Sequence, residues 1–391
     1  RDDNKTRENG NETSEQDDCG GGIGRDRPDR DDGRTFTLAN LAVVAAETGF
    51  RVLLIDADLR APRQHDHFGI NNDSGLALLL DLVTGPAGLP LADTLRALTG
   101  GEVARGTQVI VWDVRLPVAC MALLVGAALA LAGAEMQTVL ENPLAEPFTL
   151  GVSSSAALGA AVAIVLGLTL PGLPAVWSVS GNAFLFALGA LGLLQLLGRI
   201  RGGGPEVLIL FGVALNFTAA ALLSLLQFVA SADALQQLVF WTMGSLASAQ
   251  WPGVVLIGVV LAVAVPFSFR AAWKLTALRL GEDQAKSFGV DVAGLRRWTL
   301  LRVSLLAASA VSMVGVIGFV GLAGPHIARM LVGENHRVFL PASILTGALV
   351  MSLASTLSKT LVPGVLLPVG LVTSLIGLPI FFALILRGRR R

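Results

Sequence analysis

The chain is poor in charge, almost without cysteine, and wholly without tyrosine. Only 15% of its 391 residues are Asp, Glu, Lys or Arg, where soluble domains carry about 25%. Such a deficit, with 53% hydrophobic residues and a mean hydropathy of +0.66, excludes an ordinary soluble globule and points to a membrane body. The two cysteines, Cys19 and Cys120, lie far apart in unlike surroundings. Neither CxxC nor Cys/His ligand spacing occurs, which argues against a zinc site. Residues 118–391 also lack a Ser/His/Asp set, paired carboxylates and a nucleotide loop, so this part is not expected to be an enzyme. The missing tyrosine has no account in composition. Formal net charge is zero, but that figure sums a polar head and an apolar body and says nothing about partners.

Polarity divides the chain sharply. Residues 1–34 are nearly all polar and cannot bury enough apolar surface to offset chain entropy, so a disordered tail is expected. Residues 35–113 read as a truncated α/β fragment. Thr37 to Thr48 has helical spacing, and Arg51 to Pro62 is a short buried strand running into Asp56 and Asp58. From residue 118 the pattern becomes long apolar runs. A bilayer core takes about 20 apolar residues. Nine candidate spans follow: 118–139, 148–170, 182–198, 206–229, 252–269, 298–315, 316–332, 339–358 and 367–386. The fold class expected is therefore an all-α polytopic membrane protein, with a tight turn between Gly315 and Gly318. Gly, Ala and Ser fill the spans, which suits close helix packing in lipid.

Charge sets an orientation. Arg199, Arg201, Arg270, Lys274, Arg279, Lys286, Arg296, Arg297, Arg302, Arg337, Arg387 and Arg389 to Arg391 fall on one side, against Lys359 alone on the other. The positive-inside rule puts the first set, and the C-terminus, in the cytoplasm. All six tryptophans fall near span ends, as an interfacial belt should. Asp233 to Trp241 has helical spacing and one charge, which predicts a short amphipathic helix on the outer side. No ionisable pair is expected mid-membrane in any span, which disfavours a secondary transporter.

Three stretches carry a family resemblance: Gly133 to Ser155, Leu280 to Val290, and Gly315 to Arg329 followed by Glu334 to Arg337. In order and spacing they resemble the permease subunits of bacterial ABC importers for iron-siderophores, haem and cobalamin, over about residues 112–391. The resemblance implies import of a metal chelate into the cytoplasm, driven by a separate cytoplasmic ATPase subunit. It further implies a periplasmic or lipoprotein substrate-binding protein, a second permease copy and an inner-membrane location, with no cofactor, resident metal or nucleic acid. It implies a coupling loop at Gly281, Glu282, Ala285, Phe288, Gly289 and Arg296, where a short helix meets the ATPase. Asn142, Pro143 and Leu144 then narrow the cytoplasmic mouth. The family signature falls on Gly318, Gly321, Pro325, His326, Arg329, His336 and Arg337, with Pro325 ending or bending a helix and His336 making a cytoplasmic contact. A lone His326 with no partner at ligand spacing is not expected to bind metal. Arg115 and Lys359 match residues that face the binding protein. Family permeases have ten spans, so the first one is expected to be missing, its place taken by the α/β fragment. Residues 75–92 are a poor substitute because of Asp81 and two prolines.

Residues 40–69 resemble the P-loop ATPase domain of bacterial tyrosine autokinases for polysaccharide export, with Asp56 and Asp58 in the acidic motifs. Gly33, Arg34 and Thr35 stand where Gly-Lys-Ser/Thr is expected, and Pro28 where the loop's first Gly should be. A P-loop needs glycine N–H groups around the phosphates and a Lys reaching them. Pro has no N–H, and Arg is no compact substitute for Lys. This loop is therefore expected not to bind ATP. The alternatives carried from the sequence are a membrane-anchored kinase-like ATPase and a non-functional fusion.

Overall fold

The computed structural model describes residues 81–85, 88–169, 171–172, 174, 177–200, 204–362 and 365–388, and the side chains of Arg199 and of residues 380–388 are outside that description. The degenerate P-loop residues Gly33, Arg34, Thr35, Asp56 and Asp58, and the polar tail, lie outside the described residues. Every regular element among the described residues is helical.

A short amphipathic helix, α1 (Leu91–Leu98), precedes the longest one, α2 (Arg105–Val139). Residues Ile110–Arg115 of α2 form a wide π-helical turn. Pro117, two residues beyond it, cannot donate to the preceding turn, and the wide turn accommodates the lost bond. The expected fragment boundary between residues 113 and 114 thus falls inside one continuous helix.

Next come a 3₁₀ turn (Pro147–Leu150), α3 (Val152–Leu166), α4 (Ser178–Ile200) and α5 (Pro205–Val229). Then follow α6 (Ala232–Thr242), α7 (Trp251–Leu278), α8 (Glu282–Ser287) and α9 (Val292–Val314). The last three are α10 (Val320–Val332), α11 (His336–Thr360) and α12 (Val369–Gly388). Six helices, α2, α4, α5, α7, α9 and α11, are long and apolar enough to cross a membrane, while α3, α10 and the apolar stretch of α12 are shorter. All nine expected spans therefore correspond to helices. Run 148–170 gives only the short α3 because Pro147 and Gly151 (φ 79°) break its start. The turn between α9 and α10 sits at Gly315 (φ 75°) as expected. The short helix expected at 233–241 is α6, whose N-terminus Ser231 caps. Pro325 lies inside α10 and does not end it.

The core is built around α2, which packs against α7, α9, α10 and α11; a second, smaller cluster joins α3, α4 and α9. Alpha carbons, not large side chains, set the closest approaches. A Cβ at Gly126 would overlap the Gly347 carbonyl on α11, and one at Gly133 would overlap the Gly321 carbonyl on α10. Gly321 is the residue whose helical donor Pro325 removes. Its freed carbonyl lies against the α2 backbone, an arrangement only glycine permits.

Candidate functional site

The C-terminal turn of α2 is wired to its neighbours by polar groups. Glu135, fully buried, accepts from Arg302 of α9, whose Nη2 lies 3.0 Å from Oε1. Gln137 Oε1 accepts from Arg329 Nη2 of α10 at 3.0 Å. Thr138 Oγ1 meets His336 Nε2 of α11 at 2.8 Å. The Val139 carbonyl accepts from Arg296 Nε of α9 at 3.0 Å. One turn of helix thus bonds to three others. Glu135 and Arg302 form an ionisable pair near the ends of their spans, not at mid-membrane. An isolated ion in such surroundings costs several kcal/mol, so each of these two residues requires the other.

The short helix α8 hangs below this turn. Gly281 (φ 112°) and Gly289 (φ 78°) bound it, both in backbone regions that side chains disfavour. Ala285 is fully buried, and its carbonyl accepts from Val290 N at 3.1 Å. Lys286 Nζ lies 2.9 Å from Glu282 Oε1, one turn away. The Lys286 ammonium, then burial and Arg296 set the Glu282 carboxyl, with the net effect below its usual range. Leu280 and Phe288 flank α8 and are exposed, so the loop presents an apolar rim around a seated alanine.

Between α2 and α3 lies the expected gate loop. Asn142 Oδ1 accepts from Leu144 N at 2.9 Å, which closes an Asx turn ahead of Pro143. Leu144 and Phe148 are exposed, and Glu141 holds a left-handed backbone (φ 50°). Glu146 is buried, its carboxylate accepting backbone N–H groups of Thr149 and Phe319. Burial pushes its carboxyl up to about 7, against the opposing pull of the Phe319 N–H.

The structure disperses the signature residues. Gly318 lies beside Phe148 and Gly321 against α2. Arg329 bonds Gln137, reaches Glu334 Oε1 at 3.6 Å and covers the Phe339 ring. His326 is half-buried, and among the described residues no group of three His, Cys, Asp or Glu could hold a metal ion. His336 is not a cytoplasmic surface contact. It is buried, held between Thr138 and Thr276 and edge-on to Phe339. Arg337 is exposed, its backbone N–H bonded to Asn335.

Arg115 and Lys359 also need correction. Lys359 Nζ lies 2.8 Å from Asp81 Oδ1, and Arg115 Nη1 donates to the Leu82 and Val83 carbonyls at 2.8 and 3.1 Å. Both are buried. Their charges hold the 81–83 segment against α2 and α11 and do not face outward. Asp81, taken as an obstacle to a membrane segment, is compensated by Lys359.

The model of the FecCD transport family matches residues 75–387. The chain belongs to the FecCD transport family. It is 37% identical over 317 residues to the hemin transport system permease protein HmuU of Yersinia pestis, covering 81% of this chain and 95% of that protein. It is 36% identical to the vitamin B12 import system permease protein BtuC of Salmonella newport (81% and 93% covered). It is equally 36% identical to the molybdate import system permease protein MolB of Haemophilus influenzae (75% and 85%). A solved metal-chelate type ABC transporter in an inward-facing conformation superposes with a TM-score of 0.70 at 33% identity, covering 80% of this chain and 96% of that one. This FecCD chain is therefore a multi-pass membrane permease of the ABC-importer type. The family match begins at residue 75, so it takes in residues 75–113, which the sequence reading had set outside the permease.

Two sets of functional residues escaped sequence reasoning. Glu135, Gln137 and Thr138 stood in a quoted motif, and a carboxylate within an apolar run should have prompted a search for its cation. Asp81 carried the same signal.

Proposed function

We propose that this chain is the membrane permease of an importer that carries a metal chelate — an iron-siderophore, haem or cobalamin — into the cytoplasm. Glycine-bounded α8, with Ala285 seated and Leu280 and Phe288 exposed, is the observation that carries the reading. It offers a rigid knob to a separate cytoplasmic ATPase subunit. A loop that only connected α7 to α9 would need a few residues and no helix. Glu282 in the first turn suits the positive end of that helix.

In this reading Gly281, Glu282, Phe288 and Gly289 meet the ATPase while buried Ala285 seats α8 beneath them, and Asn142, Pro143 and Leu144 narrow the cytoplasmic mouth. Two permeases, identical or not, enclose the pathway, and a substrate-binding protein delivers cargo from outside. Relatives named for hemin and vitamin B12 support a chelate cargo, and the relative named for molybdate makes oxyanion uptake the alternative outcome of a cargo test. The basic loops and the C-terminus face the cytoplasm of a plasma (inner) membrane. We place the permease domain from residue 75 onward.

Labelling of intact cells with a membrane-impermeant maleimide, in a Cys19→Ser, Cys120→Ser background, tests the orientation. Asp233→Cys should label and Lys286→Cys should not. The reverse pattern would put α8 out of reach of any cytoplasmic ATPase and overturn the reading. Uptake by vesicles supplied in turn with ferric siderophore, haem, cobalamin and molybdate then identifies the cargo.

A further inference from the structure

We propose that Arg296 is the positioning residue through which movement of α8 reaches the gate loop. The inference rests on the permease reading above. Arg296 stands one turn inside α9, with its side chain only 9% exposed. Its guanidinium faces two ways. Nη2 lies 3.4 Å from Glu282 Oε2, at the first residue of α8. Nε donates to the Val139 carbonyl at 3.0 Å, at the last residue of α2. The same Nη2 lies 3.9 Å from Glu141 Oε1. Glu141 is the residue before Asn142, and its left-handed backbone sets the direction in which the gate loop leaves α2.

The Arg296 side chain thus touches both α8 and the α2–α3 connection. A planar, fixed fork is suited to this task, because its donors cannot rotate independently. If α8 shifts with its ATPase, the Glu282 carboxylate pulls on Nη2. The rigid guanidinium, held at the Val139 carbonyl of the anchored turn, passes the displacement to Glu141. The loop that carries Leu144 then pivots about the end of α2, which Glu135, Gln137 and Thr138 fix to three other helices. The anchored turn is thus the fulcrum and Arg296 the link. Lysine would keep the charge and lose the fork.

The test uses the full chain assembled with its ATPase in vesicles, with Leu144→Cys as reporter in the Cys19→Ser, Cys120→Ser background. N-ethylmaleimide labelling at position 144 is followed with and without ATP, and the change is divided by the ATP hydrolysed in the same sample. A residue that only stabilised the fold would lower the yield of complex and leave this ratio intact. Arg296→Gln should reduce the ratio about tenfold, in the range of ordinary coupling between sites. Arg296→Lys should fall between Arg296→Gln and the parent. If Arg296→Gln does not fold, Glu282→Gln cuts the same link from the α8 side and should lower the ratio in the same direction. A ratio equal to the parent's in the folded variants would overturn the proposal. A parent complex that hydrolyses ATP with no change in labelling would overturn it too, by removing Leu144 from the gate. A chain that captures no ATPase at all would instead overturn the permease reading on which the proposal stands.

Discussion

The last turn of α2 and the whole of α5 are held in the molecule by opposite means. At the end of α2, groups on Glu135, Gln137, Thr138 and Val139 are each bonded to another helix, and the glycines above them bring backbones into contact. On α5 only Leu208, Gly212 and Ala219 are buried, and Phe217, Leu210 and Phe228 stand exposed along it. Both helices are strongly apolar, so hydropathy alone does not separate them. The difference is what surrounds them. Apolar side chains gain little from leaving lipid for protein, so a buried helix is fixed by close packing and polar bonds, while a bare one needs neither. Helix α2 is the fixed frame, and α5 keeps a bare apolar face.

The strongest way to break this contrast is at Glu135. Glu135→Ala leaves Arg302 buried without its carboxylate, and the cost should be about 3–5 kcal/mol. Thermal unfolding in detergent should show a large loss, with much of it recovered when Arg302→Met is added. An unchanged midpoint for Glu135→Ala would mean that the pair does not hold α2 to α9.

Next in size is the glycine contact. Gly133→Val forces a branched side chain into the Gly321 carbonyl and should cost about 1–3 kcal/mol by overpacking. The same unfolding measurement reads it, and a variant as stable as the parent would show that α2 and α10 do not approach as closely as described.

Glu146 sharpens the contrast through pH. Its carboxyl titrates at about 7 in the fold, against 4.5 for an ordinary glutamate. Between those values the folded chain holds a proton that the unfolded chain has lost, so stability falls as pH rises from about 4.5 to 7 and levels off above. Glu146→Gln, neutral throughout, should remove that slope. Identical slopes for parent and variant, followed by unfolding from pH 4.5 to 8, would place the titration elsewhere.

The smallest effect belongs to α5. Phe217→Ala, on the exposed face, should change the stability of the isolated permease by no more than about 0.5 kcal/mol. A loss comparable to that of Glu135→Ala would mean that this face packs within the chain after all.

Helix positions were legible because apolar runs of bilayer length leave few other folds, and α8 because glycines punctuate a charged loop. Polar partnerships were not. Glu135 and Arg302 are 167 residues apart, and no local pattern reports that two helices will meet. The same blindness made Arg115 and Lys359 look like outward-facing cations, since their partners, the Leu82 and Val83 carbonyls and Asp81, lay in a segment that had been set aside. His336 was misjudged because its neighbour Arg337 is exposed, although on a helix adjacent residues point to different faces. Pro325 was expected to end or bend a helix, and the Gly133–Gly321 contact that accommodates it inside α10 is visible only when α2 and α10 are together.

The central claim is that α8 is the face on which an ATPase acts. Ala285→Arg is its most direct test, because a guanidinium cannot occupy the buried site of the alanine without displacing α8. Co-purification of the ATPase and ATP hydrolysis stimulated by the permease should both be lost, while the folded yield of the permease itself is retained. Undiminished co-purification and undiminished stimulated hydrolysis in Ala285→Arg would contradict the account.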